Sequence, residues 1–273
     1  MADIIDTNAA LFVGSIPEFY DQGLGPVLFT DYAALMAERV AAQAPHDVLE
    51  TAAGTGIVTQ ALRRRLPATT SLIATDLNGA MLQIAREKCR SGEIRFDAAD
   101  AQALPFPDER FDAVVCQFGV MFYPDRSLAT REALRVLRPG GRYFFSVWDS
   151  HRYNKFAAIT DAQIKRFFPV NPPSFYAVPF AAAAIDPIKA ELLDNGFRDP
   201  VIEVARIDKP IADLSLFVRG LIFGNPLIDQ IRARGTVGPE TVYAATMEAL
   251  SAELQRSPVT SLQTIFYSAI KPR

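Results

Sequence analysis

The sequence predicts an α/β fold on a doubly wound, largely parallel sheet with helices on both faces. From residue 46 onward, short apolar runs alternate with segments whose apolar residues recur at helical spacing, the pattern of successive βα units. The run VLE at 48–50 leads through a glycine-rich turn into one such helical segment. The run FDAVVCQ at 111–117 is almost continuously apolar, as a strand covered on both faces has to be.

Taken in order, the first strand is expected at 46–51 and its helix at 55–66. A second strand at 70–76 precedes a helix capped by Asn78 and running to about Cys89, because an Asn side chain can accept from the free N–H groups of a first turn. A third strand is expected at 93–98, then the turn-rich LPFPD at 104–108, then the fourth strand at 111–117. Residues 125–137 read as a helix stopped by Pro139-Gly140-Gly141, with a fifth strand at 142–148. After Trp148 the rhythm breaks, and 150–184, with four prolines and many aromatics, reads as an insertion. It resumes with Asp186-Pro187, taken as an N-cap with proline at the first helical position, a helix ending at Asn195-Gly196 and a strand at about 201–207. A second irregular and helical stretch, 212–256, precedes a last strand at 261–270. Ahead of the first strand, FYDQGLGPVLFTDYAAL departs from the βα rhythm, with a helix expected from about Pro26.

Bulk properties narrow the function. A chain of 273 residues that is 49% hydrophobic can bury a substantial core. Its net charge of −3, with Lys and Arg spread along the sequence, lacks the footprint of a nucleic-acid binder. The opening MADIIDTNAALF has no basic region followed by a long apolar core, and no later stretch approaches the roughly twenty apolar residues of a membrane span, so a cytoplasmic location is expected. Two cysteines, Cys89 and Cys116, support neither a disulfide framework nor a thiolate metal site; both read as small structural residues, and no metal is expected.

Ligands of open α/β sheets bind beyond the carboxyl ends of the strands, near the point where strand order reverses. The first strand ends in Glu50 and the glycine turn. Gly54 and Gly56 let a ligand lie against the backbone and meet free N–H groups at the helix start, although a tight turn without a ligand also explains that piece alone. The second strand ends in Asp76, twenty residues after Gly56, where a carboxylate can accept from both hydroxyls of a ribose. The third supplies Asp100-Ala101 and the fourth Gln117-Phe118-Gly119; an acidic side chain followed by a backbone N–H suits the amino group and ring nitrogen of adenine. Together these ends describe an adenosine with a short charged tail. A dinucleotide site fits less well, since its fingerprint wants a third small residue where this chain has Thr59 and asks for no acid four residues before the first glycine.

At VLETAAGTG (48–56), ATDLNGAML (74–82), AADAQALPFPDERFDAVVCQFG (98–119) and ALRVLRPGGRYFFSVW (133–148) the chain resembles the class I S-adenosylmethionine-dependent methyltransferases, in the small-molecule branch (methyltransferase type 11) related to ubiquinone and menaquinone biosynthesis methyltransferases. The resemblance implies a Rossmann-like seven-stranded sheet whose last strand is antiparallel and inserted beside the fifth. It implies an N-terminal helical cap at 1–45, a cofactor-binding core at 46–149, a lid insertion at 150–184, and a C-terminal part of the sheet at 185–273 with the helical insertion 212–256. The implied cofactor is S-adenosyl-L-methionine, leaving S-adenosyl-L-homocysteine as product. Carried onto this sequence, the turn of Ala52, Ala53, Gly54 and Gly56 holds the methionine tail and Glu50 faces its ammonium. Asp76 takes the ribose diol, Leu77 and Met81 one face of adenine, and Asp100 and Ala101 its polar edge. Gln117 and Phe118 stand at the fourth strand end, and Tyr20 and Phe29 of the cap close over the cofactor. Two departures stand out: Ala52, where the family often has glycine and where alanine fits if φ is negative, and Glu50 in place of the commoner aspartate.

The implied reaction is in-line transfer of a methyl group to a small, apolar or aromatic acceptor on O, N or C, which needs position more than acid–base machinery. His151, after the fifth strand at the carboxyl end, is the candidate general base, against a surface or loop role; His46 lies at the opposite end and reads as structural. Tyr153 and Tyr176 are weaker candidates for orienting substrate. Phe167, Phe168, Phe175, Tyr176, Phe180, Phe217, Leu221 and Phe223 either line an apolar acceptor pocket or pack the insertions' own core. The expected partner is a small-molecule acceptor, with no nucleic acid and no membrane span, and the chain is expected as a monomer or homodimer. The rival readings are an NAD(P)-dependent oxidoreductase and a scaffold that binds S-adenosylmethionine without catalysis.

Overall fold

The computed structural model describes residues 12, 14–90 and 93–273; the expectation for the extreme N-terminus, and the first part of the expected cap, lie outside them. Seven strands form one sheet: β1 (Asp47–Glu50), β2 (Ser71–Asp76), β3 (Ile94–Ala98), β4 (Phe111–Gln117), β5 (Leu137–Trp148), β6 (Arg198–Lys209) and β7 (Thr260–Ile270). Their order is β3-β2-β1-β4-β5-β7-β6. The first five run parallel, and β7 is antiparallel to both β5 and β6. Strand order reverses between β1 and β4, where Glu50 pairs with Ala74 of β2 and Val115 of β4. Three neighbouring carboxyl ends therefore present Glu50, Asp76 and Gln117 together.

The near-continuous apolar runs of the central strands are visible in their burial. Val48, Leu49, Val114, Val115 and Cys116 are fully buried, and removing each such Val or Leu side chain from water contributes roughly 1.5–3 kcal/mol. Between the strands lie α3 (Ile57–Arg65), α4 (Gly79–Lys88) and α5 (Arg126–Val136). Asn78 caps α4 as expected: its backbone is extended and its side-chain oxygen accepts from the N–H groups of Ala80 (3.0 Å) and Met81 (3.1 Å). Asp125 caps α5 in the same way, accepting from Leu128 N at 2.8 Å.

Three expectations are corrected. Pro139-Gly140-Gly141 does not stop α5; it lies within β5. The register against β4 slips between Phe111 and Ala113, so the residues form a bulge, with Gly140 at φ +84° and its N–H on Lys271 O. Asp186-Pro187 is not an N-cap, because α8 (Ile185–Asp194) begins one residue earlier and its cap position is Ala184. The N-terminal helix does not begin at Pro26. α1 (Ile16–Phe19), a π-helical segment (Tyr20–Phe29) and α2 (Thr30–Ala41) follow one another directly. The wide turns of the middle segment admit Pro26, and Thr30 donates both its N–H and its hydroxyl (2.9 Å) to Gly25 O, five residues back.

The segment after β5 holds α6 (Lys155–Phe167) and α7 (Ala177–Phe180); that between β6 and β7 holds α9 (Leu214–Phe223), α10 (Leu227–Arg234) and α11 (Pro239–Arg256). Helix α9 packs on the π-helical segment without room for side chains between them. A Cβ on Gly23 would lie 2.6 Å from Leu216 O, and one on Gly220 2.8 Å from Leu24 Cδ2. N-terminal and C-terminal segments thus join in one roof above the strand ends. Among the described residues, no helix is long and apolar enough to cross a membrane.

Candidate functional site: a glycine turn beneath an aromatic roof

The two carboxylates at the sheet edge are both buried. Glu50 is 2% exposed, and its Oε2 accepts the Thr59 hydroxyl at 2.6 Å. Burial pushes its pKa up to about 8, with the Thr59 hydrogen bond opposing and the charge of Asp76 adding to the rise. Asp76 accepts from Gly54 N (2.8 Å) on one oxygen and from Asn78 N (2.7 Å) on the other. Burial raises its pKa as well, against these backbone donors. Asp76 thereby ties the glycine turn to the start of α4; the backbone N–H of Leu77 also faces its carboxylate, whose four lone-pair sites still leave room for a further donor.

The two glycines of the turn differ. At Gly54, φ +55°, a Cβ would meet nothing within 4 Å, so the turn is open to a ligand there. At Gly56, φ +79°, a Cβ would lie 2.9 Å from Ala85 Cβ and 3.3 Å from Cys89 Sγ, so this glycine lets α3 pack closely on α4. Ala52 departs from the condition set for it. Its φ is +52°, left-handed, at a cost of about 1–2 kcal/mol for a residue with a Cβ. Phe118 is also left-handed (φ +58°), and its ring stacks on Trp148 at 4.2 Å.

Two hollows with a shared wall occupy the site. A crevice beside the glycine turn is lined by Glu50, Ala52, Ala53 and Thr55. A larger cavity under the roof is lined by Asp76, Asn78, Met81 and many aromatic side chains. Tyr20, Phe29, Ala52, Gln117 and Phe118 line both, and this shared wall is the collar of the site. Within the crevice and collar, Thr55 Oγ1 and Gln117 Oε1 are buried without a hydrogen-bond partner among the described residues. Gln117 spends its other end on the roof, donating from Nε2 to Phe29 O at 3.3 Å. Buried polar atoms left unpaired cost stability, so these mark where a ligand's polar groups fit.

Not every expected residue gathers here. Leu77 is 49% exposed, and neither it nor Asp100 and Ala101 line the cavity; the Asp100 carboxylate accepts from Gln102 N at 2.8 Å. Of the aromatics from the insertions, Phe175, Tyr176 and Phe180 line it together with Leu221, whereas Phe168, Phe217 and Phe223 are buried in packing and Phe167 lies off the cavity. Tyr153 is exposed and away from the cavity. The His151 ring rests edge-on against Phe180 at 4.4 Å; it does not line the cavity, and its Nε2 is buried without a partner among the described residues. Sequence reading missed Asn78 as a wall residue, Thr59 as the donor to Glu50, and Leu24, Tyr123 and Asn225 as lining. Thr59 had a signal, being nine residues after an acid that needs a donor. The others are brought in by packing between distant segments.

A sheet in this order with an antiparallel seventh strand, and acids at the ends of β1 and β2 around a glycine turn, defines the class I S-adenosylmethionine-dependent methyltransferase fold. Residues 49–145 match the methyltransferase domain family. The chain is 42% identical over 101 residues to the ubiquinone/menaquinone biosynthesis C-methyltransferase of Pasteurella multocida, covering 36% of this chain and 38% of that one. The corresponding enzyme of Geobacter sulfurreducens is 35% identical over 127 residues, covering 45% and 50%. The matched region thus spans half or less of the length of these curated relatives. Among solved structures, the YcgJ protein of Bacillus subtilis overlays with a TM-score of 0.57 at 20% identity, covering 89% of this chain and 99% of that one. The cyclase SpnF overlays with a TM-score of 0.53 at 20% identity, covering 89% and 81%. A cyclase on the same fold means that fold alone does not carry the activity; the residues of the site have to.

Proposed function

We propose that the protein transfers a methyl group from S-adenosyl-L-methionine to a small, apolar or aromatic acceptor. The observation that carries this reading is the polarity of the two hollows. The crevice holds a buried carboxylate, Glu50, and two unpartnered buried oxygens on Thr55 and Gln117, which suit the ammonium end of an amino-acid tail. Asp76 lines the cavity with a carboxylate that can accept from a ribose hydroxyl, and Met81 and Phe12 line it too, with apolar surface for a base. The remaining wall is almost wholly apolar, which suits an apolar acceptor.

When bound, the cofactor supplies a methyl group on a sulfonium: the acceptor's lone pair forms the new bond as the carbon–sulfur bond breaks onto sulfur. The chain's part is to hold the two reactants in line and dry. Glu50 is ionised by a cation placed beside it, and Thr59 keeps that carboxylate turned into the crevice. The Trp148–Phe118 stack and the roof residues Tyr20 and Phe29 close the collar to water. Holding reacting atoms about 3–3.5 Å apart in this way can supply most of the acceleration without a metal. His151, whose ring rests on the cavity residue Phe180, is the candidate base for the acceptor; turnover of His151→Ala within a few-fold of wild type across pH removes that role.

Calorimetric titration with S-adenosylmethionine, S-adenosylhomocysteine and NAD tests the reading. Micromolar binding of the first two and none of NAD is expected; binding of NAD alone overturns it. A screen of uncharged and weakly acidic aromatic acceptors then tests the acceptor class.

A further inference from the structure

Ala52 carries a backbone feature that the proposed reaction does not require. At φ +52° a glycine would sit without strain, yet the chain holds a methyl group there. The neighbouring chain has been cleared to receive it: a Cβ on Gly119 would lie 2.4 Å from Ala52 Cβ and 2.7 Å from Cys116 Sγ, so only glycine fits at 119. Ala52 is one of the five collar residues that line both the tail crevice and the acceptor cavity. The other four are Tyr20, Phe29, Gln117 and Phe118, all large. A ligand that reaches from the crevice toward the cavity meets these five side chains on the way. A strained small residue kept in such a wall is a gauge of what can stand beside it.

We infer that Ala52 is a specificity-determining residue whose methyl group sets the size of the alkyl group that a sulfonium cofactor can carry at the collar, admitting methyl and refusing larger groups. The inference rests on the cofactor reading above. It is independent of the acceptor, because it concerns which cofactor is bound.

The test is calorimetric binding of three ligands to wild type and to Ala52→Gly: S-adenosylmethionine, its S-ethyl analogue, and S-adenosylhomocysteine, which lacks the third, transferable alkyl group on sulfur. Ala52→Gly relieves the left-handed strain, so a melting temperature at or above that of wild type establishes that it is folded. S-adenosylmethionine and S-adenosylhomocysteine are expected to bind the variant within about threefold of wild type, while the S-ethyl analogue gains roughly tenfold or more, the size of discrimination one methylene commonly gives in a tight apolar site. An unchanged ethyl-to-methyl preference overturns the inference. So does an equal gain for S-adenosylhomocysteine, which would place the Ala52 methyl against the tail rather than the alkyl group. If wild type binds none of the three, the cofactor reading itself fails, and that outcome is distinct from either of these.

Discussion

On the floor of the site, Glu50, Asp76 and Gln117 stand at the ends of three adjoining parallel strands, and the acids are held by partners within about two dozen residues along the chain. Over the roof, Tyr20 and Leu24 from near one end of the chain meet Gly220 and Leu221 from near the other, held by helix packing so close that glycine is required. The floor is polar and fixed by hydrogen bonds whose donors and acceptors can be named from the strand–turn–helix pattern. The roof is apolar and fixed by shape. A cofactor common to many proteins can be served by the first kind of construction, while the second is free to vary with the acceptor.

Breaking the floor should have the largest effect. Asp76→Ala removes the proposed diol acceptor and leaves Gly54 N and Asn78 N without their partner, so S-adenosylhomocysteine affinity should fall by about 1.5–3 kcal/mol in a calorimetric titration. Unchanged affinity in a folded variant removes Asp76 from the ligand site. Breaking the roof should cost stability instead. Gly220→Ala forces a Cβ against Leu24 and the Gly23 backbone, and denaturant unfolding should show a loss of about 1–3 kcal/mol. A neutral result would mean that the two segments part readily enough to admit a methyl group.

The pH dependence sharpens the comparison, because the floor alone holds a strongly perturbed carboxylate. Glu50 is raised from 4.5 to about 8 in the folded chain, so its protonated form is favoured there. Its contribution to stability is fully present below pH 4.5 and is lost as pH rises toward 8. Wild type should therefore lose stability over that window relative to Glu50→Gln, measured as the difference between their unfolding free energies at several pH values. A ligand cation beside Glu50 should reverse the preference and release a proton, so wild type, unlike Glu50→Gln, should show a binding enthalpy that varies with the ionisation enthalpy of the buffer. Thr59→Val should have the smallest effect, about 0.5–1.5 kcal/mol, and should move the upper end of the Glu50 window to higher pH, since the hydroxyl is what holds the pKa down. A window that stays in place would show that Thr59 does not stabilise the carboxylate.

The floor was readable because its signals are local. β4 was expected over the same residues it occupies, Asn78 caps α4, and the antiparallel seventh strand implied by the family resemblance lies beside β5. Where the reading erred, the same local signals had a second meaning. Pro-Gly-Gly after α5 satisfies a bulge within β5 as readily as it ends a helix. Asp186-Pro187 fits the first turn of α8 as readily as its cap. Gly56 has a packing role that the sequence does not show: its bare Cα faces Ala85, a contact that depends on where α4 packs. Pro26 looked like a helix start because the wide turns that tolerate it are a property of hydrogen bonding, not of residue pattern. The roof was legible only as a set of aromatics; which of them face the cavity is decided by the meeting of α9 with the N-terminal segment.

The most direct test of the central proposal is a crystal structure of the protein with S-adenosylhomocysteine. The amino-acid tail is expected in the crevice, its ammonium within hydrogen-bond distance of Glu50 and Gln117 Oε1, and the ribose hydroxyls on Asp76. A tail directed into the aromatic cavity, or a ribose placed away from Asp76, would contradict it.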